Sequence, residues 1–239
     1  SYDDIIKNAS SGKVSSVLTI EEGAVCEGKV ENLRKLYSRG VRMMTFTWNY
    51  KNCLASPNAD VKGNALVNTT DGLTEKGFEI LSEMKSLGII PDVSHLSDKG
   101  FYDIASSFKG PFVASHSNAR EICAGARNLT DEMIRGLAGA GGCMGLNFYA
   151  HFLRTVSAGE KNPGTIEDVV RHAKHIVNVG GIGVLGIGSD FDGIDTHEEL
   201  PGVQSMELLW DALHSSGFTQ AQLDKIFCGN VLRIYRATL

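Results

Sequence analysis

Four acidic or imidazole side chains in this 239-residue sequence stand just after short apolar runs. Glu21 follows Val14–Ile20, His95 ends Val93-Ser94-His95, His116 lies in Ala114-Ser115-His116-Ser117, and Asp190 lies in Gly188-Ser189-Asp190-Phe191-Asp192-Gly193. A carboxylate, two imidazoles and a second carboxylate form a donor set suited to zinc or a similar divalent ion. Such an ion acidifies a bound water to a pKa of roughly 7 and polarises a carbonyl. Each residue alone has an ordinary alternative. A histidine after a strand is commonly a hydrogen-bonded loop residue, Glu21 could start a helix, and Asp190 or Asp192 could cap a turn. Two histidines at the same strand end in consecutive units argue for the metal. His172 and His175, spaced i, i+3 on a capped helix, are expected on an exposed outer face. His151, His197 and His214 receive no metal role.

The elements that must position these residues alternate. The apolar runs Val14–Ile20, Val41–Thr47, Ile89–Ser94, Pro111–Ser115, Gly142–Phe148 and Gly183–Gly188 lack strict alternation, as strands covered on both faces do. Helix signals separate them. Thr74 opens a helix with Phe78, Leu81 and Met84 on one stripe and Gly88 at its end, and Ser97 opens another that runs towards Gly110. Thr165 with Asp168, and Thr219 with Gln222, have capping-box spacing. Alternating β-α units imply a parallel sheet, either open and doubly wound or the last six-eighths of a closed (β/α)8 barrel of the TIM type. Chemistry-bearing residues at the ends of several strands favour the barrel, whose active sites lie at the carboxyl ends of its strands. Without repeats or linkers, residues 1–239 read as a single domain.

Composition narrows the function classes. The chain is 42% hydrophobic and 21% charged, with a net charge of -5, and it carries no basic run of the kind that binds nucleic acid. No stretch of 18 apolar residues predicts a membrane span. Cys26, Cys53, Cys123, Cys143 and Cys228 are odd in number and scattered, which reads as reduced thiols in a cytoplasmic protein. A phosphate-using barrel lyase is disfavoured, because Gly229-Asn230 follows a helix pattern and lacks a basic partner.

The segments LTIEEGA, LRKLYSRGVRMMTFTWN, DVSHLS, VASHSNAREICAGARNLTD, GLNFY, GIGSDFDGI and GNVLRIYR resemble, in order and spacing, the zinc-dependent membrane dipeptidase family, peptidase family M19. The resemblance implies a metallodipeptidase that hydrolyses dipeptides with a metal-activated water, two zinc ions per complete site, and a homodimer. It implies that Glu21 bridges the two ions, that His95 and His116 hold the second, and that Asp190 lies near the first and handles the proton. Arg127 resembles the arginine that binds the substrate's terminal carboxylate, a role suited to its planar fork. Tyr149 is expected to line the substrate pocket, Asn128 to bind substrate or, with Asp192, to support the residues that do.

Two departures stand out. The family's opening strand carries a His-x-Asp pair on the first zinc, and no His-x-Asp occurs here. The sequence opens at what resembles the family's third strand; at about 30 residues per β-α unit, roughly 60 residues of a full barrel are lacking. The expectation is therefore an incomplete barrel completed by a missing N-terminal segment. Its alternative is a catalytically impaired relative that binds metal or peptide. In addition, Trp48 stands where animal members have a histidine that touches the reacting centre. Asn49 or Tyr50 could take over part of that role.

Overall fold

The computed structural model describes residues 1–156 and 164–239. The chain packs as two compact units, Ser1–Val113 with Val231–Leu239, and Ala114–Asn230. Its strands form a six-stranded sheet in the order β1-β2-β3-β4-β5-β6. That order follows the chain without reversal, as in a (β/α) barrel; a doubly wound sheet reverses at a switch point.

The first unit runs through α1 (Tyr2–Ser10), β1 (Leu18–Ile20), α2 (Val30–Ser38), β2 (Val41–Thr45), α3 (Glu75–Leu87), β3 (Ile90–Asp92), α4 (Asp98–Ser107) and the start of β4 (Val113–Ala114). β1 pairs with β2, β2 with β3, and β3 with β4, all in parallel. The run expected from Val14 yields strand only from Leu18, and Val14 itself is exposed. Thr74 caps α3 by accepting from the Gly77 N–H at 3.1 Å, as its spacing predicts. The buried stripe of α3 is Gly77, Ile80, Leu81 and Met84, and Phe78 is exposed. Phe78 sits one residue, about 100°, round from Gly77, which takes it off the stripe that Leu81 and Met84 share.

The second unit contains α5 (Asp131–Gly139), β5 (Cys143–Leu146), α6 (Ala150–Leu153), α7 (Ile166–Gly180), β6 (Leu185–Ile187), α8 (Met206–Ser215), α9 (Gln220–Asp224) and the first residue of α10 (Asn230–Thr238). β5 and β6 pair in parallel, Leu146 against Ile187. Both capping boxes form, Thr165 with Asp168 on α7 and Thr219 with Gln222 on α9. The expectation for His172 is corrected here. It belongs to the buried stripe Val169, His172, Ala173, Ile176, spaced i, i+3, i+4, i+7, and has no exposed surface. His175 lies off that stripe and pairs with Asp131 at 2.6 Å.

Candidate active site

The chemistry-bearing residues of the first unit all follow carboxyl ends of strands. Glu21 comes directly after β1, Trp48 and Asn49 follow β2, and His95 follows β3. The turns are built by their neighbours. Thr45 Oγ1 accepts from the Glu22 N–H at 3.1 Å, and Asn52 donates to Glu22 Oε1 at 3.1 Å and to the Phe46 carbonyl at 2.8 Å. Of the two glutamates, Glu22 is therefore bound into the loop, and Glu21 is the one turned to His95. Buried Asp92 accepts from the Ser94 N–H at 2.9 Å and shapes the turn that ends in His95.

His95 Nε2 lies 2.9 Å from Glu21 Oε1, and its Nδ1 lies 3.0 Å from Asn49 Oδ1. An amide oxygen only accepts, so the Nδ1 proton belongs to the bond with Asn49. Nε2 then meets a carboxylate oxygen with its lone pair, which is repulsive unless positive charge lies there, as a second proton or a cation. This arrangement fits a metal. A ligating imidazole typically gives its other nitrogen to a hydrogen-bond partner that fixes its tautomer and orientation. His116 also has its Nδ1 engaged, with Ser115 Oγ at 2.7 Å.

Backbone strain collects at these positions. Among the described residues, non-glycine positive φ occurs at Glu22 (122°), Glu27 (53°), His95 (69°) and Asp190 (62°). Such conformations cost on the order of 1–3 kcal/mol each and persist only where surrounding structure enforces them. Three of the four sit at or beside an expected site residue.

In the second unit asparagines do the positioning. Asp190 Oδ2 accepts from Asn147 Nδ2 at 2.9 Å; Asn147 Oδ1 accepts from the Tyr149 N–H at 2.6 Å. Asn118 is bonded to both the N–H and the carbonyl of Asn147, at 3.1 and 2.9 Å. Asn128 accepts from the Asn118 N–H at 3.1 Å and donates to the carbonyls of Cys123 and Phe152, both at 2.9 Å. Asn118, Asn128 and Asn147 have no exposed surface. Asn128 thus acts as a loop support, with its amide engaged by backbone. Asp192 is exposed. Arg127 is buried with its guanidinium 5.4 Å from the Phe152 ring centre, and Tyr149 lies against the same ring at 5.1 Å. Phe152 therefore gathers the two expected substrate residues, a role its position in the sequence did not announce.

Two glycines make this packing possible. A Cβ on Gly188 would lie 1.9 Å from the Ser115 carbonyl oxygen, and one on Gly145 would lie 2.2 Å from it. The backbone of β5 and that just past β6 therefore approach Ser115, and with it the start of the His116 loop, as only glycine allows. His172 locks the same loop: its Nδ1 accepts from the Ala119 N–H at 3.1 Å, and Nε2 faces the Leu153 carbonyl at 2.9 Å. Burial pushes its pKa down to about 4.

The sequence profile described as membrane dipeptidase, peptidase family M19, matches residues 1–239. The chain belongs to this family. A Klebsiella pneumoniae protein, known as an uncharacterised protein in the pqqA 5' region, is 35% identical over 97% of this chain and 85% of its own length. A Schizosaccharomyces pombe uncharacterised dipeptidase is 31% identical over 99% of this chain, which spans only 56% of that protein. Among solved structures, a Rhodobacter sphaeroides metallopeptidase bound to a phosphinate mimic of L-Ala-D-Ala aligns with a TM-score of 0.91 and 28% identity. That alignment covers 100% of this chain and 68% of the other. Membrane dipeptidase membership agrees with the strand order and with the site segments, including those whose asparagines are structural. The signal for the latter lay in the quoted motifs themselves: Asn118 in SHSNAR and Asn147 in GLNFY stand close to residues expected to have chemical roles. No helix among the described residues is long and apolar enough to cross a membrane. All five cysteines are free thiols.

Proposed function

We propose that the protein is a zinc-dependent dipeptidase, with Glu21, His95 and His116 as metal ligands and Asp190 as the proton-handling carboxylate. The observation that carries the reading is the Glu21–His95 pair, with Nε2 2.9 Å from the carboxylate and Nδ1 engaged by Asn49. Zinc held there would supply an acidified water and a Lewis acid for the scissile carbonyl. The remaining steps belong to the chain. Asn49 holds the His95 ring in the orientation and tautomer a ligand needs, and Ser115 engages Nδ1 of His116. Asp190, held through Oδ2 by Asn147, takes the proton from the attacking water and returns it to the leaving amine. Arg127 binds the terminal carboxylate, which favours short substrates, and Tyr149 flanks the substrate on the Phe152 side. At least one zinc, a cytoplasmic location, a single domain over 1–239 built as about six units of a (β/α)8 barrel, and a homodimer complete the reading. The family resemblance supports the zinc, the barrel and the dimer; the free cysteines support the location.

The test measures metal content and dipeptide hydrolysis together. Wild type is expected to bind zinc and to lose turnover with a chelator. His116→Ala is expected to lose at least tenfold in zinc affinity and to turn over at background. Zinc binding without turnover of any dipeptide would instead favour the impaired metal-binding relative.

A further inference from the structure

We infer that Trp48 and Tyr50 form an aromatic wall beside the Glu21–His95 pair that selects dipeptides carrying an apolar, and above all an aromatic, side chain. The inference rests on the dipeptidase reading and refines it by naming a substrate class.

The loop after β2 first buries Phe46 and Thr47 completely, then turns two rings outward: Trp48 is 43% and Tyr50 50% exposed. Their ring centres are 6.0 Å apart at 54°, and the Trp48 ring centre is 6.2 Å from that of His95 at 43°. These spacings are those of packed aromatic pairs. The wall is braced from behind. Tyr50 lies against Gly63, where a Cβ would meet the ring at 2.9 Å and where φ is +82°. Asp60 holds that turn by accepting from the N–H groups of Lys62 and Asn64, at 2.8 and 3.0 Å, and from Asn64 Nδ2 at 3.0 Å. The contacts thus run without a break from this turn through Tyr50 and Trp48 to His95.

A wall fixed before binding loses little conformational entropy when a ligand arrives, so its apolar surface converts more fully into affinity. A substrate whose polar group engages the Glu21–His95 pair brings its neighbouring substituents within reach of the indole. A methyl group covers little of that surface, and a benzyl group covers much of it. A preference of tenfold or more for benzyl over methyl corresponds to burying an aromatic ring on an aromatic face.

The experiment uses the zinc-loaded protein in a Trp210→Phe background. Trp48 and Trp210 are the only tryptophans; Trp210, in α8, packs edge-on against Phe227 and is replaced by another aromatic ring, so Trp48 becomes the sole indole reporter. Two phosphinate dipeptide mimics, one with methyl and one with benzyl side chains, are titrated while Trp48 emission is followed. In parallel, kcat/KM is measured for the matching alanyl and phenylalanyl dipeptides. The benzyl ligand is expected to bind at least tenfold tighter and to change Trp48 emission, and kcat/KM is expected to follow the same ratio. Trp48→Ala is expected to bring both ratios to within about threefold of one, whatever the absolute rates, and Trp48→Phe to restore part of them. A wild-type ratio near one, or a ratio unchanged in Trp48→Ala, would overturn the inference and leave the dipeptidase reading standing. No binding of either mimic together with no turnover of any dipeptide would overturn both.

Discussion

The first unit leaves Glu21 and Trp48 in the open, and the second encloses its expected site residues in a lattice. In the first, Glu21 has a 47% exposed side chain, Trp48 is exposed, and one bond from Asn49 sets the tautomer of His95. In the second, three asparagines without exposed surface link Asp190, Tyr149 and the loop bearing Arg127 through buried and part-buried bonds. The difference separates two kinds of support. An exposed partner can tune one side chain at little cost to the fold. A buried polar network is part of the fold, because each unmatched group inside it costs its full desolvation.

The comparison is most severely tested at Gly188. Gly188→Ala forces a Cβ to within 1.9 Å of backbone, so it is expected to collapse the second unit's site. Thermal melting and soluble yield should register the largest loss of any single substitution named here; a melting point within a few degrees of wild type would contradict the close approach. Next comes His172. Its folded pKa, about 4, lies below its ordinary 6.5, so the unfolded chain binds more protons in between. Stability is therefore complete above about pH 6.5 and falls, by about 3 kcal/mol, as pH drops towards 4. Urea titrations across that window should flatten in His172→Gln, whose amide can still accept and donate.

Asn118→Ala should cost about 2–4 kcal/mol of stability by stranding the polar groups of Asn147 and Asn128. Asn49→Leu is expected to behave in the opposite way. Its effect on stability should stay below about 1 kcal/mol, while zinc affinity by competition titration falls about 10- to 100-fold. Asn49→Asp, which can still accept from Nδ1, should recover most of that affinity. Equal stability losses at Asn118 and Asn49 would erase the distinction between the two units.

Much of this site was legible in the residues. Glu21, His95, His116 and Asp190 each follow a β-strand whose apolar run marks it, and Thr74, Thr165 and Thr219 cap the helices their spacing indicates. What spacing left hidden was the difference between a residue that meets a ligand and one that holds the scaffold. Asn128, Asn118 and Asn147 belong to the same motifs as Arg127, His116 and Tyr149, the residues proposed to meet metal or substrate, and what marks the asparagines is that their amides are engaged by backbone. His172 was misread for a related reason: a polar residue on a helix is assumed to face water until a backbone N–H and a carbonyl are found waiting for it.

The sequence by itself determined the alternation of strands and helices, the donor types and the caps, because these depend on neighbours a few positions apart. The tertiary structure decided which glutamate of the Glu21-Glu22 pair turns to His95, which nitrogen of that ring is proton-bearing, and that Trp48 stacks beside it. Those outcomes depend on atoms brought together from β1, β2 and β3, whose separation along the chain no local pattern encodes.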